Sequence, residues 1–393
     1  MLEKLYQLID ENYDEIVQIR RHLHQNPELS FHEVETPKYI AAYHRELGLE
    51  VREGVGERGV VATLRGGKPG KTVALRADFD ALPIHEETGV EYKSKNDGVM
   101  HACGHDGHTA TLLGLAKALC KIKDEIAGTI VFIHQHAEEM APGGAIAMIK
   151  DGCLEGVDVI YGTHLQSLMP VGNIQYRTGP TMAAADRFHI EIQGRGGHGA
   201  QPHLTKDSIV VASQLVTNLQ QLVSRRVDPI ESAVVSVGNF VASNAFNVIA
   251  DKTVLAGTVR TFKEDIRSLV EKEMERIVKG TCLSADVDYK FEFHRGYPPL
   301  VNHKKETEFL SAFAESVPGV TDVIEAAPRM GGEDMSYYLE HVPGTFFFTG
   351  AQISDGEAVY PHHHPKFNFD ERALAIAAKT LGGAALQTLE DLK

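Results

Sequence analysis

Between His101 and His108 the chain carries three imidazoles and a thiol, His101, Cys103, His105 and His108, within eight positions. Thiolate and imidazole hold borderline divalent ions such as zinc, and a thiolate can bridge two of them. Gly104 and Gly107 allow the backbone to bend sharply enough for neighbouring side chains to converge. A polar loop of satisfied histidines is the alternative, and it is weakened because matching donors recur downstream. Glu138 and Glu139 follow the apolar run Ile130-Val131-Phe132-Ile133, His164 follows Ile160-Tyr161, and His362-His363-His364 precede Pro365. Adjacent carboxylates leaving a strand point in different directions, so one can bind metal while the other faces a substrate water. A bound ion lowers the pKa of that water, and the free carboxylate can take its proton and later deliver it to a leaving amine. The chemistry implied is metal-assisted hydrolysis.

These residues need a scaffold that gathers distant segments. Leu5, Leu8, Ile9, Ile16, Ile19 and Leu23 recur at helical spacing until Pro27, and a second helix is expected over 36–47, closed by Gly48. His22 and His24, two apart on a helix, do not share a face and read as structural. Apolar runs at 60–64, 72–76, 129–134 and 157–163 then alternate with helical stretches at 109–122 and 143–151. That alternation predicts a largely parallel sheet covered on both faces, with ligands at the carboxyl ends of its strands. Asp78 and Asp80, Glu138 and Glu139, and His164 all fall at such ends. After Pro180 the pattern changes to strand 188–192, helix 205–226, strands 233–237 and 253–260, helix 263–282 and strand 287–293. The order βαββαβ is the ferredoxin-like split unit. The fold class expected is therefore α/β: a discontinuous catalytic domain over 1–182 and 296–393, with a mixed, largely parallel sheet, and an inserted ferredoxin-like α+β domain over 183–295.

Composition narrows the function. A formal charge of −15 offers no basic face to a nucleic-acid backbone. No run of eighteen apolar residues is present, and the acidic, amphipathic start MLEKLYQLIDENYDEI is not a signal peptide, so no membrane partner and a cytoplasmic location are expected. Cys103, Cys120, Cys153 and Cys282 are few and irregularly spaced for a disulfide framework, and the last three read as buried thiols. Twenty histidines cluster at 101–108, 134–136 and 362–364, as a site assembled from several loops would require.

The segments RADFDALP, HACGHDGH, HQHAEE, GTHLQ, GGHGAQPH, FNVIA, GTVRTF, GGEDMSYY and PHHHPKFNFDE occur in an order and spacing that resemble the amidohydrolases related to hippurate hydrolase, indole-acetyl-amino-acid hydrolases and bacterial N-acyl-amino-acid deacetylases. That family belongs with aminoacylase, carboxypeptidase G and succinyl-diaminopimelate desuccinylase. The resemblance implies two divalent metal ions per subunit, manganese or zinc first and nickel or cobalt also acceptable, bridged by Cys103. His105 and His164 would complete one site, Glu139 and His363 the other. His363 is chosen among its neighbours because the family's ligand stands two positions before the proline. Glu138 is implied as general base and acid, assisting attack by metal-activated hydroxide, and Asp80 as the carboxylate that orients a metal-binding group. The inserted domain resembles a lid and dimerisation domain, with His198 stabilising the oxyanion, Asn247 at the amide and Arg260 forking onto the substrate carboxylate. The implied activity is hydrolysis of a small N-acyl-amino acid by a homodimer. Deacetylation of N-acetyl-diaminopimelate, or a dipeptidase-like cleavage, is the alternative within the class. Glu333 and Asp334 resemble a motif near the site but carry no assigned chemistry.

One departure stands out. Relatives usually read Gln-Pro-Ala-Glu-Glu where this chain has Gln135-His136-Ala137-Glu138-Glu139, which restores a backbone N–H and places an extra imidazole before the base. Two rival functions are set against the hydrolase with metal: a thiol hydrolase with Cys103 as nucleophile, and a metal-binding scaffold without catalysis.

Overall fold

The computed structural model describes residues 1–354 and 358–392; residues 355–357 and 393, in the second segment of the expected catalytic domain, lie outside the described residues. The chain divides into two compact units, one of 1–179, 301–327 and 334–393, the other of 180–300 and 328–333.

The first unit is built on an eight-stranded sheet. Its strands run in the spatial order Glu50–Val55, Gly59–Arg65, Ala127–Gln135, Lys68–Asp78, Val159–Pro170, Gly344–Gln352, Asn173–Tyr176 and Asp322–Glu325. The four central strands are mutually parallel, and antiparallel pairings occur only toward the two sides. A mixed, largely parallel sheet is thus what the alternation of apolar runs and helices produces. The central strands are buried almost end to end, as in Gly344–Gln352, where all but Gln352 are buried. Such continuous apolar strands need helices on both faces. The helices His105–Cys120 and Arg372–Asp391 are buried nearly all round and contribute to the main core.

The N-terminal helical run is broken at Asn12 into Leu2–Glu11 and Tyr13–Gln25. Hydrophobic spacing continues across the break, so periodicity alone gave no sign of it. Two further differences from expectation bear on the site. Helix His105–Cys120 begins four residues earlier than its apolar periodicity, because its first turn carries His105, Asp106 and His108. Strand Val159–Pro170 runs on past His164, which therefore lies within the strand rather than at its end. The extension arises because Leu165 and Gln166 keep pairing with Thr349 and Gly350.

The second unit has a four-stranded antiparallel sheet in the order Ala233–Val241, Lys252–Thr261, Asp186–Gln193, Asp288–His294. With helices Ser208–Arg225 and Glu264–Ser284 it forms the ferredoxin-like βαββαβ unit, and the two helices close a separate apolar core over the inner face of the sheet. Asp207 caps the first helix, its Oδ1 accepting from the Ile209 N–H at 2.9 Å. Among the four cysteines, all free, Cys120 is only half-buried, which corrects the expectation that it is a core thiol. It sits at the last turn of its helix, where the chain leaves the core.

Candidate metal centre

Gly104 adopts a left-handed φ of 97° immediately before helix His105–Cys120. That turn sets Cys103 just outside the helix and His105 at its first position. Gly107, one residue short of a full turn on, has no room for a side chain: a Cβ there would lie 2.6 Å from Leu165 Cδ1 and 2.7 Å from Phe369 Cζ. The glycine thereby lets the helix start pack directly against strand Val159–Pro170, which carries His164. Strand Lys68–Asp78 delivers Asp80 two residues beyond its end, and strand Ala127–Gln135 delivers Glu138 and Glu139. The last contribution comes from His363, whose N–H donates to Ala102 O at 2.7 Å and whose φ of 65° is left-handed.

Cys103 Sγ lies 3.4 Å from His164 Nε2, while His164 Nδ1 faces Leu165 O at 2.7 Å. A carbonyl only accepts, so Nδ1 carries the proton and the Nε2 lone pair is presented to the thiol. His105 is oriented in the same manner, its Nδ1 lying 3.0 Å from Asp80 O and 3.2 Å from Asp80 Oδ1. Its Nε2 points at a group of carboxylates: Asp78 Oδ2 and Glu139 Oε1 at 3.8 Å, and Glu138 Oε2 at 4.0 Å. His363 Nε2 lies 3.3 Å from Glu139 Oε1.

The electrostatics of this cluster call for a cation. Burial opposes protonation of His105, but Asp78, Asp80 and Glu139 outweigh it and lift its pKa to about 10. Burial, reinforced by Glu139 and Glu138, pushes the Cys103 thiol well above its usual range. Burial also lowers His164 far below the ordinary imidazole value, with His108 and His362 adding to the effect, so His164 is neutral. The buried His105 Nε2 has no hydrogen-bond partner, and the buried Glu139 Oε1 has none of good geometry, its neighbour being His363 Nε2 at 3.3 Å. Orphaned donors and acceptors of this kind are costly in a native interior, and here they converge with a thiol and a neutral imidazole. Cys103, His105 and Glu139 offer ligand atoms all within 4.8 Å of one another, and so do Cys103, His164 and His362. The thiol is common to both groups, and thiolate, imidazole and carboxylate together suit zinc, manganese and similar ions. The residues present fit a metal centre.

The grouping differs in detail from the sequence expectation, which put His105 with His164 and Glu139 with His363. His362 comes within reach of Cys103 and His164, yet its Nδ1 faces Cys103 O at 3.1 Å and its Nε2 accepts from the Ser167 N–H at 3.4 Å. These bonds occupy both of its nitrogens, so it braces the loop. His364 Nδ1 accepts from the Lys366 N–H at 3.0 Å. Three consecutive histidines thus have three different surroundings.

Several supporting residues were given no role by the sequence. His108 Nδ1 faces Asp78 Oδ1 at 2.6 Å and its Nε2 accepts from the Leu165 N–H at 3.0 Å, so this member of the histidine cluster is structural. Arg76 reaches Asp78 Oδ2 at 2.7 Å, Asp334 Oδ1 at 2.8 Å and Gln135 Oε1 at 3.0 Å. Asp334 is a buried member of this network, which gives it a structural setting under the site. The position of Asp78 at the end of a strand was a signal, but its histidine partners, His105 and His108, lie on another element.

In the second unit, His198 and Asn247 are brought side by side by the short antiparallel pair Gly197–His198 and Val248–Ile249, with the Gly199 N–H donating to Asn247 O at 2.8 Å. Arg260 lies on strand Lys252–Thr261, where its Nη1 donates to Val259 O at 2.9 Å.

A sequence profile of peptidase family M20/M25/M40 matches residues 74–387. A Bacillus subtilis protein named as an amidohydrolase, YhaA, is 56% identical over 378 residues, 96% of each chain. The N-acyl-L-amino acid amidohydrolase of Geobacillus stearothermophilus is 50% identical over 302 residues, 77% of this chain and 81% of that one. Among solved structures, the Bacillus subtilis YXEP protein, described as a dinuclear metal binding peptidase from the M20 family, superposes with a TM-score of 0.84 at 36% identity, covering 97% of this chain and 99% of the other.

Proposed function

The chain belongs to peptidase family M20/M25/M40, and from that premise we propose that it hydrolyses the amide bond of N-acyl-amino acids, releasing a carboxylic acid and a free amino acid. The observation that carries this reading is the convergence of Cys103, His105 and Glu139 ligand atoms within 4.8 Å of one another, with His164 Nε2 3.4 Å from the same thiol and the Glu138 carboxylate 4.0 Å from His105 Nε2. Cys103, His105, Glu139, His164 and His363 would hold two divalent ions, manganese or zinc, with nickel and cobalt as alternatives. When bound, the ions acidify a water and polarise the scissile carbonyl.

Glu138 accepts the proton of the attacking water and returns it to the departing amine. Asp80 holds His105 in its ligand tautomer. His198 stabilises the oxyanion, Asn247 meets the amide, and Arg260 pairs with the substrate carboxylate. The second unit, taken as a lid and dimerisation domain over 183–295 between catalytic segments 1–182 and 296–393, and a cytoplasmic homodimer, are parts of the same proposal. Dimerisation is supported by the edge strand Ala233–Val241, which pairs on one side only, and by the exposed Phe240, Val241 and Phe246 beside it. N-acetyl-diaminopimelate and dipeptides are the alternative substrates.

The 3.4 Å approach of Cys103 to His164 is the one observation that favours a thiol hydrolase. Burial and the neighbouring carboxylates raise the thiol pKa, however, where a nucleophilic cysteine needs it lowered. The deciding experiment measures amino-acid release from N-acetyl and benzoyl amino acids, N-acetyl-diaminopimelate and dipeptides, using protein stripped by chelator and reloaded with each metal. Activity should vanish on stripping and return with metal. Glu138→Gln should lower kcat by roughly 10²–10⁴-fold. Turnover that survives chelation and falls to a thiol-alkylating reagent would overturn the assignment.

A further inference from the structure

Ala137 directly precedes the proposed base Glu138, and it is a non-glycine residue in the left-handed region, with φ 52°. An L-residue adopts that conformation at a steric cost and persists in it only where its surroundings hold it there. What holds it comes from the N-terminal segment, outside the matched family profile. The Ala137 N–H donates to Glu33 Oε1 at 2.9 Å, and Glu33 is 1% exposed. On the other side of Glu138, the Glu139 N–H donates to Asp80 Oδ2 at 3.0 Å, and the same oxygen accepts from Ser30 Oγ at 2.7 Å. Glu138 is thus clamped through the backbone N–H groups of both its neighbours, by carboxylates tied to the stretch 30–33.

Resting on the hydrolase reading, we propose that Glu33 is a positioning residue for Glu138, which it serves by holding Ala137 in the left-handed conformation that aims the base. The Glu33 side chain is hydrogen-bonded to Ala137, which is not a proposed ligand. Its second oxygen, Oε2, is buried without a hydrogen-bond partner, and the nearest cation, Arg58 Nε, stands 4.0 Å away while Arg58 Nη1 donates to the Glu33 backbone carbonyl at 2.7 Å. Burial, with Asp80 adding to it, pushes the Glu33 carboxyl up to about 8, which suits a neutral acid that accepts through Oε1. A neutral, isosteric amide can therefore do the same work, whereas an aliphatic side chain cannot. A glycine at 137 needs no such holder, because it enters the left-handed region without steric cost.

The test compares wild type, Glu33→Gln, Glu33→Ala, and Glu33→Ala combined with Ala137→Gly, each loaded with manganese. The readouts are kcat, KM, bound metal per chain and melting temperature. Glu33→Ala should lower kcat by about 10²-fold, the scale of a displaced catalytic group, with KM and metal content held. Glu33→Gln should keep most of the wild-type kcat, and Ala137→Gly should restore kcat in the Glu33→Ala background. A purely structural role predicts instead that kcat follows melting temperature and that the glycine rescues nothing, and either result overturns the inference. If the wild type hydrolyses none of the panel, the functional reading fails on its own. Crystal structures of wild type and Glu33→Ala then decide the inference, which is lost if Ala137 keeps its left-handed φ without the carboxyl.

Discussion

Asp80 shows how much a single carboxylate can organise. Its Oδ1 faces His105 Nδ1 at 3.2 Å, while its Oδ2 accepts from Ser30 Oγ at 2.7 Å and the Glu139 N–H at 3.0 Å. One side chain thereby fixes the tautomer of one proposed ligand and the backbone of another. Three partners also explain why its carboxyl stays below the usual range: burial alone would raise it, but His105, the Glu139 N–H and Ser30 outweigh burial. Outer partners of this kind typically contribute 10–100-fold to metal affinity. Asp80→Ala is therefore expected to weaken manganese binding by about 10–100-fold, measured by competition with a chromogenic chelator. An unchanged affinity would show that His105 needs no orienting carboxylate. The candidate ligand types, cysteine, histidine and glutamate in tight clusters, were legible in the sequence because such clusters seldom serve a core. The division of labour among His362, His363 and His364 was not, because it depends on where each ring points after a left-handed turn at His363.

Elements meet through polar groups that no local pattern reveals. Arg20, on helix Tyr13–Gln25, reaches Asp106 Oδ2 at 2.9 Å on the first turn of helix His105–Cys120, with both side chains fully buried. His24, read as structural from its spacing, contacts the same carboxylate at 2.8 Å. Strand and helix identity was legible from apolar periodicity, whereas pairs 80 or so residues apart become visible only once the sheet has gathered them. A second such contact joins helix Glu35–Glu46 to strand Ala127–Gln135. His44 Nε2 lies 2.9 Å from His134 Nε2, both rings are buried, and both Nδ1 atoms lack partners. Burial pulls His44 down to about 3, and burial followed by His44 lowers His134 well below its usual value. Both are neutral in the folded protein, while in the unfolded chain they protonate below about 6.5. Their folded pKa values are depressed, so the unfolded state binds more protons as pH falls. Stability is undiminished above about pH 6.5 and lost from there toward about pH 3, at about 1.4 kcal/mol per pH unit for each neutral histidine. Urea midpoints between pH 7 and pH 5 should fall less steeply in the double variant His44→Leu/His134→Leu. Parallel slopes would show that the pair does not titrate as described.

At the scale of the whole molecule, each unit carries its own apolar core, and the second also leaves apolar surface uncovered. Phe240 is 42% exposed, Val241 44% and Phe246 fully exposed, all on or just beyond strand Ala233–Val241. That strand forms one margin of its sheet, so a row of its backbone N–H and C=O groups faces outward. Proteins normally blunt such edges with charge, proline or a covering element, yet Ala-Val-Val-Ser-Val-Gly-Asn-Phe-Val contains neither a charge nor a proline. A second copy is the occupant that suits it, because an antiparallel continuation pairs like edges around a twofold axis. The formal charge of −15 on each chain opposes association at long range, and salt screens that repulsion while leaving apolar burial intact. Sedimentation velocity is therefore expected to show twice the 43.1 kDa chain mass, with the dimer favoured by moderate salt. Phe240→Glu combined with Val241→Lys should shift the population to the single-chain mass without lowering the melting of either core. A wild-type protein that sediments as one chain at all concentrations would remove the homodimer from the proposal.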